Sequence, residues 1–179
     1  MPRLFLGVIL PRGVRSPLQN KIEKELKQLD GHTISPPEKW HLTLLFIGNV
    51  GVRAEEKIKD QLVRAKLFPA EPITLGGPAP FGMFGQHILF MHAKSATDFL
   101  TRLHNACMRM VPVAHSHVFR PHVTIARTKH PRGDFSLEKL NTRSWTIDFL
   151  PPFLSLIESS QREGVTHYRV LSQRRFPRK

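Results

Sequence analysis

His41 and Thr43 stand two apart in the apolar run WHLTLLFIG, and the same pair returns eighty-one residues later as His122 and Thr124 in RPHVTIAR. Side chains alternate faces along an extended strand, so residues i and i+2 point the same way. Each stretch therefore offers an imidazole and a hydroxyl to one side. Two apolar side chains, Leu42 and Leu44 or Val123 and Ile125, go to the other. Imidazole takes or gives a proton near neutral pH. Two of them suit a reaction that removes one proton while supplying another. A threonine hydroxyl, held by its stiff χ1, can donate to a phosphate oxygen. Two such strands brought together would line a cleft able to open a phosphodiester with water, using neither a metal nor a covalent nucleophile.

Weaker candidates surround the second pair. Phe119 could stack on a base beside the phosphate, as aromatics do in single-strand binding, or belong to the core. Arg120, Lys129 and Arg132 could meet an RNA backbone, although a solvated face explains such charges equally well. His115 and His117 alternate and could ligate a metal with a third partner, but no cysteine pair or nearby carboxylate completes that set. No metal or cofactor is expected. His87, His92 and His104 receive no role.

Around these residues the spacing predicts the elements that must hold them. Arg3 to Leu10 reads as a strand, and a helix fits residues 14–29, where Val14, Leu18, Ile22, Leu26 and Leu29 share a face. A strand is expected from Trp40 to Ile47, and a second helix over 53–67 with Ile58, Leu62 and Ala65 inward. Proline and glycine cluster between 69 and 85, which suggests a crossing between lobes. Beyond it come a strand at HILFMHA and a helix over 96–110 burying Phe99, Leu100, Leu103 and Cys107. Strands follow at 121–127, 145–150, 153–159 and 166–172, and the tail RRFPRK reads as frayed and basic. This mixed order favours α+β with largely antiparallel pairing. The recurrence of the strand motif makes a duplicated lobe plausible.

Composition narrows the class. The chain has 179 residues, 40% of them hydrophobic, enough for one unit with its own core. One cysteine excludes an intrachain disulfide. The opening apolar run, Leu4 to Leu10, is short for a secretory leader and far too short to span a bilayer, so a soluble cytoplasmic protein is expected. The formal charge is +13, from 27 Lys and Arg against 14 Asp and Glu, a field that attracts phosphate-bearing polymers.

The motifs carry a likeness as well. RLFLGVILP, WHLTLLFIGNV, GPAPFGMFGQHILFMHA, FRPHVTIAR and ESSQREGVTHY together resemble the two-histidine (2H) phosphoesterase superfamily, and within it the RNA 2′,3′-cyclic phosphodiesterase (2′-5′ RNA ligase) family. The resemblance covers most of the chain. It implies a single domain over 1–179 with a bilobal α+β fold: two pseudo-symmetric lobes, each an antiparallel sheet with outer helices, and an active-site cleft between them. It implies hydrolysis of RNA 2′,3′-cyclic phosphate ends to 2′-phosphates, with His41 as general acid, His122 as general base, and Thr43 and Thr124 on the phosphate. The acid and base roles are exchangeable on sequence alone. The family places an arginine at the position of Arg127, where its fork would neutralise the phosphate. Arg127 follows His122 by five, so strict alternation would aim it away from the cleft; to point inward the strand must bulge or end after Thr124, or the long side chain must curl over the rim. The expected partner is RNA ending in a cyclic phosphate or holding a 2′-5′ linkage, tRNA fragments included, with a monomer doing the work. The alternatives are the reverse reaction, ATP-independent ligation of tRNA halves, and a non-catalytic RNA-binding module.

Overall fold

The computed structural model describes residues 3–26, 32–83, 86–113, 118–128 and 145–178. The elements are β1 (Arg3–Ile9), α1 (Arg12–Leu26), β2 (His32–Ile34), a 3-10 turn (Pro37–Lys39), β3 (His41–Asn49), α2 (Val52–Arg64), β4 (Ile73–Met83), β5 (Gln86–Ser95), α3 (Phe99–Met110), β6 (His122–Thr128), β7 (Ile147–Phe149), β8 (Phe153–Arg162) and β9 (Val165–Arg175).

The strands pair antiparallel in the order β7-β4-β5-β6-β3-β1-β8-β9, with β2 added to β6. The path divides at its centre. On one side β3 leads to β1, β8 and β9; on the other β6 leads to β5, β4 and β7. The two halves join where Leu42 meets Val123, and further along β6 its free edge is taken by β2. Each half is an antiparallel sheet, and each contributes its motif strand to the junction.

The helices form on apolar faces that one sheet surface covers. Val14, Leu18, Ile22 and Leu26 of α1, Ile58 and Leu62 of α2, and Phe99, Leu100, Leu103 and Cys107 of α3 are buried. They enter one core with Leu42, Leu44, Val123 and Ile125. The helices also interlock the halves. α1 follows β1 yet packs against β7 of the other sheet, and α3 follows β5 but also rests on β3.

Two expectations need correction, and one strand was missed. The segment 69–85 is not chiefly a crossing, since most of it is β4, paired with β5 from Ile73 to Met83. Its Gly76, Gly77 and Pro78 sit at a register shift, where a bulge accommodates a residue without a backbone donor. The three-residue β2 also escaped the pattern reading, being too short to show periodicity. Finally, the tail is tied down: Phe176 is buried against Phe99, and its N–H donates to the Pro152 carbonyl at 3.2 Å.

Candidate active site

Each histidine opens its strand just after a constrained segment, the Pro37–Lys39 turn in one half and Pro121 in the other. Both rings turn back on their own chain. His41 Nδ1 donates to the Lys39 carbonyl at 2.6 Å, and His122 Nδ1 donates to the Arg120 carbonyl at 2.7 Å. A carbonyl can only accept, so each Nδ1 carries the hydrogen and each Nε2 is left to exchange a proton. Two residues 81 positions apart thus share one backbone solution.

The junction brings the pairs together. With Leu42 opposite Val123 and the strands antiparallel, His41 stands beside Thr124 and Thr43 beside His122, on the sheet face away from the core. A single cleft of about 1050 Å³ is lined by all four and by Arg127 and Tyr168. Arg3 and Lys39 line it too, and no carboxylate does among the described residues.

Arg127 reaches this cleft through a bulge. Phe90 pairs with Thr124 and Leu89 with Ala126, so Ile125 is the extra residue. Ile125 and Ala126 are both buried, and alternation restarts with Arg127 on the face of His122. β3 does the same thing. Gly7 pairs with Thr43 and Leu6 with Leu45, leaving Leu44 extra and bringing Phe46 back to the cleft rim. Each bulge carbonyl is satisfied from outside: Ser35 N–H donates to Ile125 O at 2.8 Å, and His104 Nδ1 donates to Leu44 O at 2.7 Å. Phe46 is therefore the counterpart of Arg127 in the other half, an aromatic ring 66% exposed at the rim of this cleft. The sequence reading passed over both Phe46 and His104. The signal for Phe46 was present, since it too lies five residues after a motif histidine.

The two imidazoles have unequal surroundings. His41 is packed against Phe5 at 4.8 Å and the edge of Tyr168 at 4.9 Å, whereas His122 is exposed and touches Phe90 at 5.3 Å. Burial holds the His41 pKa below the ordinary 6.5, the Lys39 carbonyl opposes that, and the positive charges of His122 and Arg127 lower it further. Burial raises the Tyr168 phenol while Arg127 pulls it down. These mutual effects mark His41, His122, Arg127 and Tyr168 as one electrostatic unit. Lys39 adds a clamp: its Nζ donates to the Thr166 carbonyl at 2.7 Å, fastening the β8–β9 hairpin over the strand that its own carbonyl anchors. That hairpin turns at Glu163 and Gly164, both at positive φ, 51° and 76°.

The remaining candidates separate. Phe119 does not line this cleft. It lies in an adjoining groove, stacked flat on His104 at 4.3 Å, and Arg120 lines the same groove. His115, His117, Lys129 and Arg132 lie outside the described residues, as does the side chain of His87. Among the described residues no three His, Cys, Asp or Glu gather as metal ligands.

Paired strand-borne imidazoles, each with its threonine, set at the junction of two like sheets, define a two-histidine phosphoesterase. The chain belongs to the 2′-5′ RNA ligase superfamily, whose family model matches residues 16–162. An RNA 2′,3′-cyclic phosphodiesterase of Thermotoga maritima is 29% identical over 183 residues, spanning 90% of this chain and 96% of that protein. One from Archaeoglobus fulgidus is 29% identical over 131 residues, 71% of this chain and 73% of its own. In fold the chain is similar to the crystal structure of TT0787 of Thermus thermophilus, with TM-score 0.78, 23% identity and 97% of each chain covered. It is also similar to E. coli LigT complexed with NADP+, with TM-score 0.78, 19% identity, and 98% of this chain and 97% of that one covered.

Proposed function

We propose that this protein hydrolyses the 2′,3′-cyclic phosphate at an RNA end to a 2′-phosphate, without a metal. The observation that carries the reading is the pair of imidazoles lining one cation-lined cleft, each anchored to its own chain through Nδ1, which leaves Nε2 for proton exchange. In the reaction, water attacks phosphorus as His122 takes its proton. The P–O3′ bond breaks and His41 protonates the departing O3′. Thr43, Thr124 and Arg127 hold the non-bridging oxygens and meet the charge that grows on them. A donor for an alkoxide must be a good acid, and burial of His41 serves that end by weakening its hold on the proton. The anionic phosphate supplies the countercharge that loads it.

Phe46 gives the terminal nucleobase a face to stack on, opposite the arginine that holds the phosphate. E. coli LigT, similar to this chain in fold, has been crystallised complexed with phosphate and with 3′-AMP. The cleft takes both histidines from one chain, so a monomer suffices. A second reaction, attack of an RNA 5′-hydroxyl in place of water on the cyclic ester, uses the same groups in the same roles: His122 takes the hydroxyl proton, the P–O3′ bond breaks, His41 protonates O3′ and a 2′-5′ linkage remains; the family's name favours keeping it as the second reading. The ends of cleaved tRNA are suitable substrates for either reaction.

The test incubates purified protein with 2′,3′-cyclic AMP and with a short RNA ending in a cyclic phosphate, EDTA present, and separates 2′- from 3′-phosphate products. A 2′-phosphate is expected. Binding without turnover would replace the enzyme with an RNA-binding module, and loss of activity in EDTA would demand a metal.

A further inference from the structure

Beyond Phe46 the cleft continues into a second cavity of about 760 Å³, bounded by α2, α3, β3 and residues 110–113 and 118–120. It shares Thr43, Phe46 and His122 with the catalytic cleft. Its character differs. Leu45, Ile47, Met110, Val113, Val118 and Phe119 make its wall apolar. Val118 is 81% exposed and so forms a bare apolar lip. The Phe119 ring is held in place, stacked on His104 at 4.3 Å and 3° between planes, while His104 is itself bonded to Leu44 O. The charged groups on the wall, Lys57 and Arg120, are both cationic.

Apolar walls with one set aromatic and an all-cationic rim match a flat base carried on a phosphate backbone better than they match a peptide or lipid. Resting on the cyclic-phosphodiesterase reading, we propose that this groove seats the nucleobase next to the cyclic-phosphate end. Arg120, two residues before His122, meets the phosphate joining that nucleotide to the terminal one. Lys57 adds to the field around it. The protein therefore reads at least two nucleotides, and mononucleotide cyclic phosphates use only part of the available surface.

The experiment compares 2′,3′-cyclic AMP with a dinucleotide ending in a 2′,3′-cyclic phosphate, and with the same dinucleotide lacking its 5′ base. The kcat/KM of the complete dinucleotide should exceed that of the abasic one by roughly 5- to 100-fold, the range of one aromatic stack. Val118→Asp and Lys57→Glu, both at exposed positions, should bring that ratio toward one. A ratio near one in the wild type would overturn the proposal and leave the phosphodiesterase reading intact. Should no substrate turn over, the phosphodiesterase reading fails, and a 2-aminopurine at the 5′ position still decides the groove. Quenching on binding to the wild type but not to Val118→Asp supports it; no quenching overturns it. A dimer in sedimentation that Val118→Asp disperses would assign the groove to a second copy and likewise overturn the proposal.

Discussion

A general acid and a general base built from the same side chain must be told apart by their surroundings, and the proposed assignment rests on the burial of His41. His41 lies under Phe5 and Tyr168, and this burial, with Arg127 nearby, holds its pKa below 6.5 in the free protein. As the acid it must be protonated, so activity falls as pH rises through that lowered value. A bound phosphate favours the imidazolium and raises it again. The alkaline limb should therefore lie at higher pH in kcat than in kcat/KM, since the first reports the complex and the second the free enzyme. Coincident limbs would remove His41 from the acid role. Replacing either histidine by Ala should cost roughly 10²–10⁴ in kcat, the range of one general acid or base. Arg127→Lys keeps the charge but loses the fork, so its rate should fall between wild type and Arg127→Ala. Phe46→Ala should raise KM for nucleotide cyclic phosphates more than it lowers kcat, because stacking holds ground state and transition state alike.

Among the elements, the bulges in β3 and β6 matter most, and each depends on a neighbour. Gly7 faces the first one. A Cβ there would lie 2.7 Å from the Leu42 carbonyl, a backbone atom that cannot swing aside. Gly7→Ala should push β1 from β3, costing about 1–3 kcal/mol by overpacking and displacing His41 and Thr43. Urea unfolding and kcat measured together would check this, and an unchanged kcat would mean that β3 absorbs the shift. The partner of the other end of that bulge is His104, which has no counterpart in the chemistry. His104→Ala would strip the Leu44 carbonyl of its donor, a loss of about 1–3 kcal/mol if the group stays buried. α3 also carries Cys107, whose thiol burial pushes up to about 12. It should resist thiol reagents in the native protein and react only on unfolding, as a labelling time course would show.

For the whole molecule, one core runs through both sheets and the helices cross between them. A single cooperative transition is expected, with tryptophan fluorescence and far-UV circular dichroism melting together. Separate transitions would mean lobes that fold alone. The net charge of +13 acts over the entire surface, and the cleft adds Arg3, Lys39 and Arg127 with no carboxylate among its described lining. Cleavage of an RNA should thus weaken with added salt more steeply than cleavage of a cyclic mononucleotide, which contacts fewer cations.

Much of this was legible in the chain because periodicity is local. Apolar spacing located the three described helices and most of their buried faces, although Ala65 falls just past α2 and Leu29 lies outside the described residues; alternation put His41 with Thr43 and His122 with Thr124. The reading failed where a neighbour overrides local preference. β4 keeps its glycines and prolines because β5 and β7 pair with it, and Phe176 is ordered because a pocket beside Phe99 receives it. From sequence alone the candidate groups were determined, since residue type and the period of two decide that each histidine shares a face with its threonine. Only the tertiary structure decided that the strands adjoin at Leu42 and Val123, that Arg127 turns inward, and that His41 is the buried member. A bulge depends on register with another strand, and burial on what the rest of the chain lays over a ring, so neither can be written in a short stretch of residues.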